Sequence, residues 1–514
     1  MANTSKDNLF VLICSLSKSE KRQFKLYVNR LGVNVDAKFL LLFNLLDKMN
    51  EYNEEEILKS KIVTKLQLSN LKAHLYKQIL VSLRLNPVNQ NIRIQIREQL
   101  DFATILYHKG LYKQSLKILD RTKLIALENE EKNIAFEIVE LEKIIESQYI
   151  TRSIEDRADE LSIQAKELSQ QNVIASKLSN ISLQLYSIML KSGYAKSDLE
   201  MQEITDYFNN RMPEYQIEEL GFREKLWLYK AHLWHSFLIQ DFLSCYKYAS
   251  KWVNLFNDNP QMIYLNPVWY IKGNSYLLEC LYLIKHKSYS KDVLKQLEQT
   301  ISKEEFPKND NTASLYFICY YNSKFNLHFL EGDFEGGKYL VDEVLKNLKI
   351  NEDRIDEHHV MVFYYKIASL YFGAGDNRKC IDYLKKIIDN KNLTMREDLM
   401  CFARVLSLVA HYECGMDYHL EVQLKSTYKF LIKMNDLHEV QREMIKFLRN
   451  LGSIFPHQLK GEFKKLHTRL KTFENHPYEK RAFLYLDIIS WLESKIENKT
   501  VASIIQEKAK KLLR

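Results

Sequence analysis

Residues 364–390 read YYKIASLYFGAGDNRKCIDYLKKIIDN. Before Gly375-Asp376, the residues Tyr365, Ala368 and Tyr371 recur at helical spacing. After it, Cys380 and Leu384 do the same. Glycine permits the tight reversal between two such helices, so the stretch predicts a helical hairpin. NSKFNLHFLEGDFEGGKYLVDEVLKNL (322–348) and FARVLSLVAHYECGMDYHLEVQLKSTYKFL (402–431) align with it. Gly332, Gly375 and Gly415 then share one place, at spacings of 43 and 40 residues. Seven residues before each lie Phe325, Ala368 and Leu408, and four before lie His328, Tyr371 and His411. Nine after come Val341, Leu384 and Leu424, placed to pack back on the first helix. Gly110 fits the same frame, with Ala103 seven before and Leu119 nine after.

One helical hairpin leaves an apolar face uncovered, whereas stacked hairpins bury it against their neighbours. A repeat array over 91–435 follows. Between 130 and 310 the pattern is less regular. One pair turns near Gly193, where Ser197 and Glu200 have capping spacing, and another turns near Gln240-Asp241. A third hairpin, around 262–300, is expected to have a longer first helix. Residues 5–90 form a separate head of four helices. Ser17 and Glu20 have capping-box spacing, and Asn53 opens a second capped start. Leu68, Leu71, Leu75, Ile79 and Leu83 share a helical face that stops near Asn86-Pro87. Residues 436–514 read as three terminal helices and a basic tail, forming a cap, with Pro477 at or before one helix start. The expected fold is all-α: a helical-hairpin solenoid with a small N-terminal helical head and a helical C-terminal cap.

Composition agrees. Thirteen glycines and seven prolines in 514 residues are far below the roughly 12% of average proteins, which points to helix over turn-rich sheet. The net charge of +8 permits an acidic partner without marking a dedicated nucleic-acid binder. Seven cysteines, an odd number without CxxC spacing, read as reduced core thiols. LFVLIC is too short for a signal sequence, and no run of 18 apolar residues occurs, so a cytoplasmic protein without a membrane span is expected.

The spacing of Tyr365, Ala368, Tyr371, Gly375-Asp376, Cys380 and Leu384 resembles the tetratricopeptide repeat. That family closes its first helix near Gly-Asp-Tyr and places a small residue where the two helices cross. Cys380, Gly337 and Ser115 stand at the small position here, and Asn377 replaces the usual aromatic. The period exceeds the family's usual 34, so the resemblance is to a degenerate, TPR-like array. KSEKRQFKLYV near the start and FLYLDIISWLESKI near the end are similar to a widespread family of TPR-like proteins of Bacteroidota that carries no assigned activity.

The chemistry offered by the chain is sparse. His232 and His235 are three apart and His358 and His359 adjacent, with no third and fourth ligand in HExxH or CxxC form, so no metal is expected. Gly332, Gly336 and Gly337 lack the preceding strand and the lysine of a phosphate loop. No GxSxG elbow or constrained carboxylate pair occurs, and neither catalytic residues nor cofactors are expected.

A stacked array presents a groove lined by the first helix of each hairpin, and 31 Tyr, 25 Phe and 5 Trp can furnish it. Asn322, Asn326, Tyr364 and Arg404 are the candidate groove residues, whereas Tyr365, Tyr371 and Tyr383 are read as filling between repeats. The expected function is a noncatalytic scaffold or adaptor for an unidentified protein or peptide. The alternative is a partner-sensing regulator whose head binds DNA or RNA through Lys18, Lys21, Arg22, Lys25 and Arg30, with Leu68–Leu83 as recognition helix. Residues 460–481 and the tail add basic character. An enzyme is the third reading.

Overall fold

A computed structural model of the chain describes residues 7–30, 38–86, 91–148, 156–390, 397–415, 417–433, 438–451, 454–483 and 487–511. Among the described residues there are helices and no strand. The chain divides into two compact units, one up to Leu168 and one from Ser169 onward.

The first unit opens with α1 (Asn8–Ser15), α2 (Lys18–Arg30), α3 (Lys38–Lys48), α4 (Glu54–Lys59) and α5 (Lys65–Arg84). Four helices were expected. The fifth is α1: NLFVLICS makes about two turns, and the Asp7 carboxylate accepts from Phe10 N at 3.0 Å to cap them. Ile13 is thereby buried beside Phe24, Phe43 and Leu75, with the two phenylalanine rings 4.7 Å apart. Ser17 and Glu20 form the reciprocal cap that their spacing implies, at 2.8 and 3.2 Å. Asn53 likewise accepts from Glu55 N and Glu56 N.

Next come α6 (Ile92–His108), α7 (Tyr112–Glu128), α8 (Lys132–Gln148) and the start of α9 (Arg157–Ser192), within which the unit boundary falls. Ala103 and Leu119 are fully buried where α6 meets α7. Ser115 Oγ donates to the Ala103 carbonyl at 2.8 Å, so the small residue also satisfies its hydroxyl. Lys123 and Glu142 pair at 2.6 Å inside this unit. Burial pushes the Glu142 carboxyl up, against the lysine beside it.

The second unit continues α9 and adds α10 (Asp198–Arg211), α11 (Phe222–Leu238), α12 (Phe242–Asp258), α13 (Gln261–Leu265), α14 (Pro267–Leu283) and α15 (Lys287–Ser302). It goes on through α16 (Asp310–Glu331), α17 (Phe334–Gly337), α18 (Tyr339–Ile350), α19 (Glu357–Gly373), α20 (Asn377–Ile388), α21 (Glu397–Glu413) and α22 (Asp417–Lys433). The longer first helix expected around 262–300 is two helices, because Pro267 starts α14 afresh after the short α13.

Gly110, Gly332, Gly375 and Gly415 all adopt the left-handed conformation, with φ of +72°, +66°, +82° and +65°. So does Gly193, between α9 and α10. Gln240 and Lys285 hold the equivalent places in the α11–α12 and α14–α15 hairpins, at +60° and +58°. Five of these reversals are closed by one recurring bond. The amide after the turn residue donates to the carbonyl four before it, as in Leu111 to Leu106, Asp241 to Ser236, His286 to Leu281, Asp333 to His328 and Asp376 to Tyr371, at 2.8–3.1 Å. Asp241, Asp333 and Asp376 then cap the second helix.

With Gln240 and Lys285 admitted as turn residues, the frame extends to the α11–α12 and α14–α15 hairpins, though not to the turn at Gly193. Leu233 and Leu278 stand seven before, Ala249 and Leu294 nine after, all buried. Small buried residues recur five after five of these turns: Ser115, Cys245, Ser290, Gly337 and Cys380. At Gly337 a Cβ would lie 2.7 Å from Leu370 Cδ1, so a side chain there would have to displace the end of Leu370. The result is an all-α helical-hairpin solenoid.

The C-terminal helices are α23 (Glu439–Asn450), α24 (Pro456–Lys471), α25 (Ile488–Glu497) and α26 (Val501–Lys511). Pro477 precedes a short 3-10 turn, Glu479–Phe483. These elements do more than cover the last hairpin. Lys480 Nζ reaches the Gln240 carbonyl at 3.0 Å, and Tyr478 OH reaches Asp198 at 2.5 Å. Gln506 Nε2 donates to the Gly332 carbonyl at 3.1 Å, while Trp491 Nε1 and Lys495 Nζ both hold Glu413, at 2.6 and 2.5 Å. The cap runs along the turns of several hairpins.

Candidate functional site

In the second unit the first helix of successive hairpins presents its next residue away from the hairpin core. Where the seventh residue before the turn is buried, the sixth is Trp234 on α11, Glu279 on α14, Asn326 on α16 and Ser369 on α19. These four line one cavity of about 270 Å³. The tenth residue before three of these turns contributes again, with Ser275, Asn322 and Tyr365. Aromatic walls come from Tyr186 on α9 and from Trp234 and Tyr276, whose rings lie 4.8 and 5.3 Å from one another in turn.

A polar chain crosses this cavity. Asn326 Nδ2 donates to Glu279 Oε2 at 3.1 Å, and Lys366 Nζ donates to Asn326 Oδ1 at 2.5 Å and to the Asn322 carbonyl at 3.5 Å. Lys366 also lies 5.9 Å from the centre of the Tyr282 ring. Burial pushes its ammonium down in pKa, opposed by the charge of Glu279. Trp234 Nε1, Asn322 Oδ1 and Ser369 Oγ, all polar atoms of the wall, are buried without a hydrogen-bond partner among the described residues. Along α11 and α14 the stripe extends to Trp227 and Trp269, whose rings meet at 5.1 Å. Lys230 Nζ stands 4.6 Å from each, and burial together with nearby Lys272 lowers its pKa to about 8.

Of the four groove residues expected from sequence, Asn322 and Asn326 come together here. Tyr364 lies elsewhere, 6.0 Å from the Tyr383 ring and 5.0 Å from Lys386 Nζ, where α19 faces α20. The Arg404 guanidinium covers the Phe430 ring at 4.3 Å and faces α22. Both are polar residues on first helices, but on the flank that meets the second helix. Tyr371 stacks on Tyr383 at 5.8 Å, whereas Tyr365 reaches the cavity. Trp234, Glu279, Lys366 and Ser369 were not expected. The signal that finds Trp234, Glu279 and Ser369 is the residue next to each buried seventh position, and at Glu279 it is readable only when Lys285 is accepted as a turn. Lys366 lies outside that frame.

In the first unit Lys18, Lys21, Arg22 and Lys25 surround a shallow depression of about 370 Å³ together with Leu26, Asn29 and Asp47. Arg30 does not line it. Lys21 pairs with Asp47 at 2.7 Å, and Lys25 lies 5.7 Å from the centre of the Phe43 ring. On α5, Lys72 is engaged by Asp7 and Tyr52, and Arg84 by Asp101. In the C-terminal basic stretch, Lys465 pairs with Glu462 and Arg469 with Glu443.

His232 and His235 are occupied by rings. His232 stacks on Tyr248 at 4.3 Å and His235 on Phe208 at 4.4 Å. Among the described residues no three His, Cys, Asp or Glu side chains converge as a metal site, and no helix is long and apolar enough to cross a membrane. The chain matches no protein-family model, and a comparison with curated proteins likewise finds no match.

Proposed function

We propose that the chain is a noncatalytic, cytoplasmic scaffold or adaptor that holds a protein or peptide on the first-helix face of its second unit, and that its hairpins are degenerate tetratricopeptide repeats. The observation behind this reading is the alignment of the sixth residues before the turns, Trp234, Glu279, Asn326 and Ser369, along one cavity. Structural filling would favour apolar residues at a repeated, inward-facing place. Here two of the four are neutral polar residues, one is a carboxylate and one is an indole with an unpartnered N–H. Such a mixture suits directional recognition in a concave surface.

Selection of displayed random peptides against the full chain tests it. Enriched peptides should lose at least about tenfold in affinity to Trp234→Ala, since aromatic anchors dominate interfaces. Equal retention by that variant, or no enrichment, refutes the groove reading.

The basic depression on α2 supports a second reading, nucleic-acid binding by the first helices. Electrophoretic shifts against mixed DNA and RNA should then appear at low salt and weaken steeply as salt rises. Absence of a shift at low salt removes this alternative.

A further inference from the structure

Lys366 and Glu279 are opposite charges on the walls of one cavity, yet they do not pair within 4.0 Å. The Asn326 amide stands between them, its oxygen turned to the lysine and its nitrogen to the glutamate. Adding the amide's own width to the two hydrogen bonds bounds the separation of the charges at about 8 Å. A pair that served only to neutralise itself would be stabler in contact, because buried ions need close partners. Each group also keeps capacity in hand. Glu279 Oε1 accepts no hydrogen bond among the described residues, and the Lys366 ammonium has a third N–H beyond those given to Asn326 and Asn322.

We propose that this cavity binds a free α-amino acid with an apolar or aromatic side chain, its carboxylate on Lys366 and its ammonium on Glu279. An α-amino acid carries both charges on one carbon. With a hydrogen bond at each end it spans roughly 8 Å, the upper limit set by the two bonds through Asn326. The cavity's own charges cancel, so a zwitterion is matched where a simple acid or amine would leave one of them opposed. The volume of about 270 Å³ suits a ligand of this size. Tyr186, Trp234, Phe237, Tyr276 and Phe329 supply a wall for the side chain. The Trp234 N–H, on a residue that is 7% exposed, has no partner among the described residues and is a further donor on that wall. The inference shares only its location with the groove reading. Peptide capture and amino-acid binding are read separately, so either can fail alone.

Titration calorimetry and thermal shift on the full chain, with leucine, phenylalanine, tyrosine and tryptophan as probes, test the proposal. At least one should bind and raise Tm. For the best aromatic probe, the analogue lacking the amine and the analogue lacking the carboxylate (3-phenylpropionate and phenethylamine for phenylalanine) should each bind at least about tenfold more weakly, the loss expected for a charge-assisted hydrogen bond. Glu279→Gln should abolish the preference for the amine, and Lys366→Met the preference for the carboxylate. No binding by any of the four amino acids overturns the proposal, as does an analogue that binds as tightly as its parent. The analogue comparison uses the unaltered protein, so it decides the question even if a variant fails to fold.

Discussion

Lys285 and Gly375 occupy equivalent turns, yet only one of them is free of a Cβ at positive φ. An L side chain in the left-handed region costs about 1–2 kcal/mol. Lys285 is exposed, so Lys285→Gly should stabilise the second unit by up to about 1 kcal/mol, allowing for the freer unfolded chain. The reverse change, Gly375→Ala, meets no atom within 4 Å and should cost about 1 kcal/mol through the backbone alone. Gly332→Ala should cost more than that, because its Cβ would stand 2.9 Å from the Ala502 carbonyl oxygen. Chemical denaturation of the three variants gives the ranking, and equal losses at Gly332 and Gly375 would contradict the packing of α26 on this turn. Gln240→Gly is not expected to gain like Lys285→Gly, since Gln240 Nε2 donates to the Ala195 carbonyl at 3.1 Å.

The α11–α12 hairpin has a pH dependence written into its histidines. His232 is pushed down to about 4, first by burial and then by His235, Lys251 and Lys247. Its folded value is depressed, so its contribution is fully present above the unfolded value of about 6.5 and is lost as pH falls through the folded one. Stability of the second unit should drop by about 2–3 kcal/mol between pH 6.5 and 4 from this group. His232→Phe keeps a ring against Tyr248 and should flatten that part of the profile in urea titrations at the two pH values. An unchanged profile would mean that the imidazole is solvated. Hairpins of this kind were legible from sequence wherever the turn held glycine: Ala103, Phe325, Ala368 and Leu408 all lie in the core as their spacing implied. They were harder to read at Gln240 and Lys285, because the Schellman closure is made by backbone groups and tolerates other residues at a modest cost. The cavity suffered from the same gap. Asn322 and Asn326 were found as polar residues on a first helix, but Tyr364 and Arg404 satisfy that description on the wrong flank, and only the frame relative to the turn separates the two.

In a stacked array each hairpin ordinarily contacts its neighbours alone, so ends fray and stability accumulates locally. The C-terminal segment alters this within the second unit by bonding to the 198–240 region, the Gly332 turn and Glu413. Unfolding of residues 169–514 should therefore be cooperative, with coincident urea transitions by far-ultraviolet circular dichroism and tryptophan fluorescence. Removing residues 476–514 should separate the transitions. Trp491→Ala, which empties a site only 1% exposed, should cost about 3–5 kcal/mol. Coincident transitions after truncation would show that the ties add nothing to cooperativity. The bond from Tyr478 to Asp198 also joins residues 280 positions apart. At about 5–20 residues per second, a ribosome needs roughly tens of seconds to bring the second partner out after the first. For that interval the 240 turn waits on the nascent chain without Lys480, and the face that the cap will cover is open to chaperones. The order of synthesis thus makes completion of this unit a late event in its biogenesis.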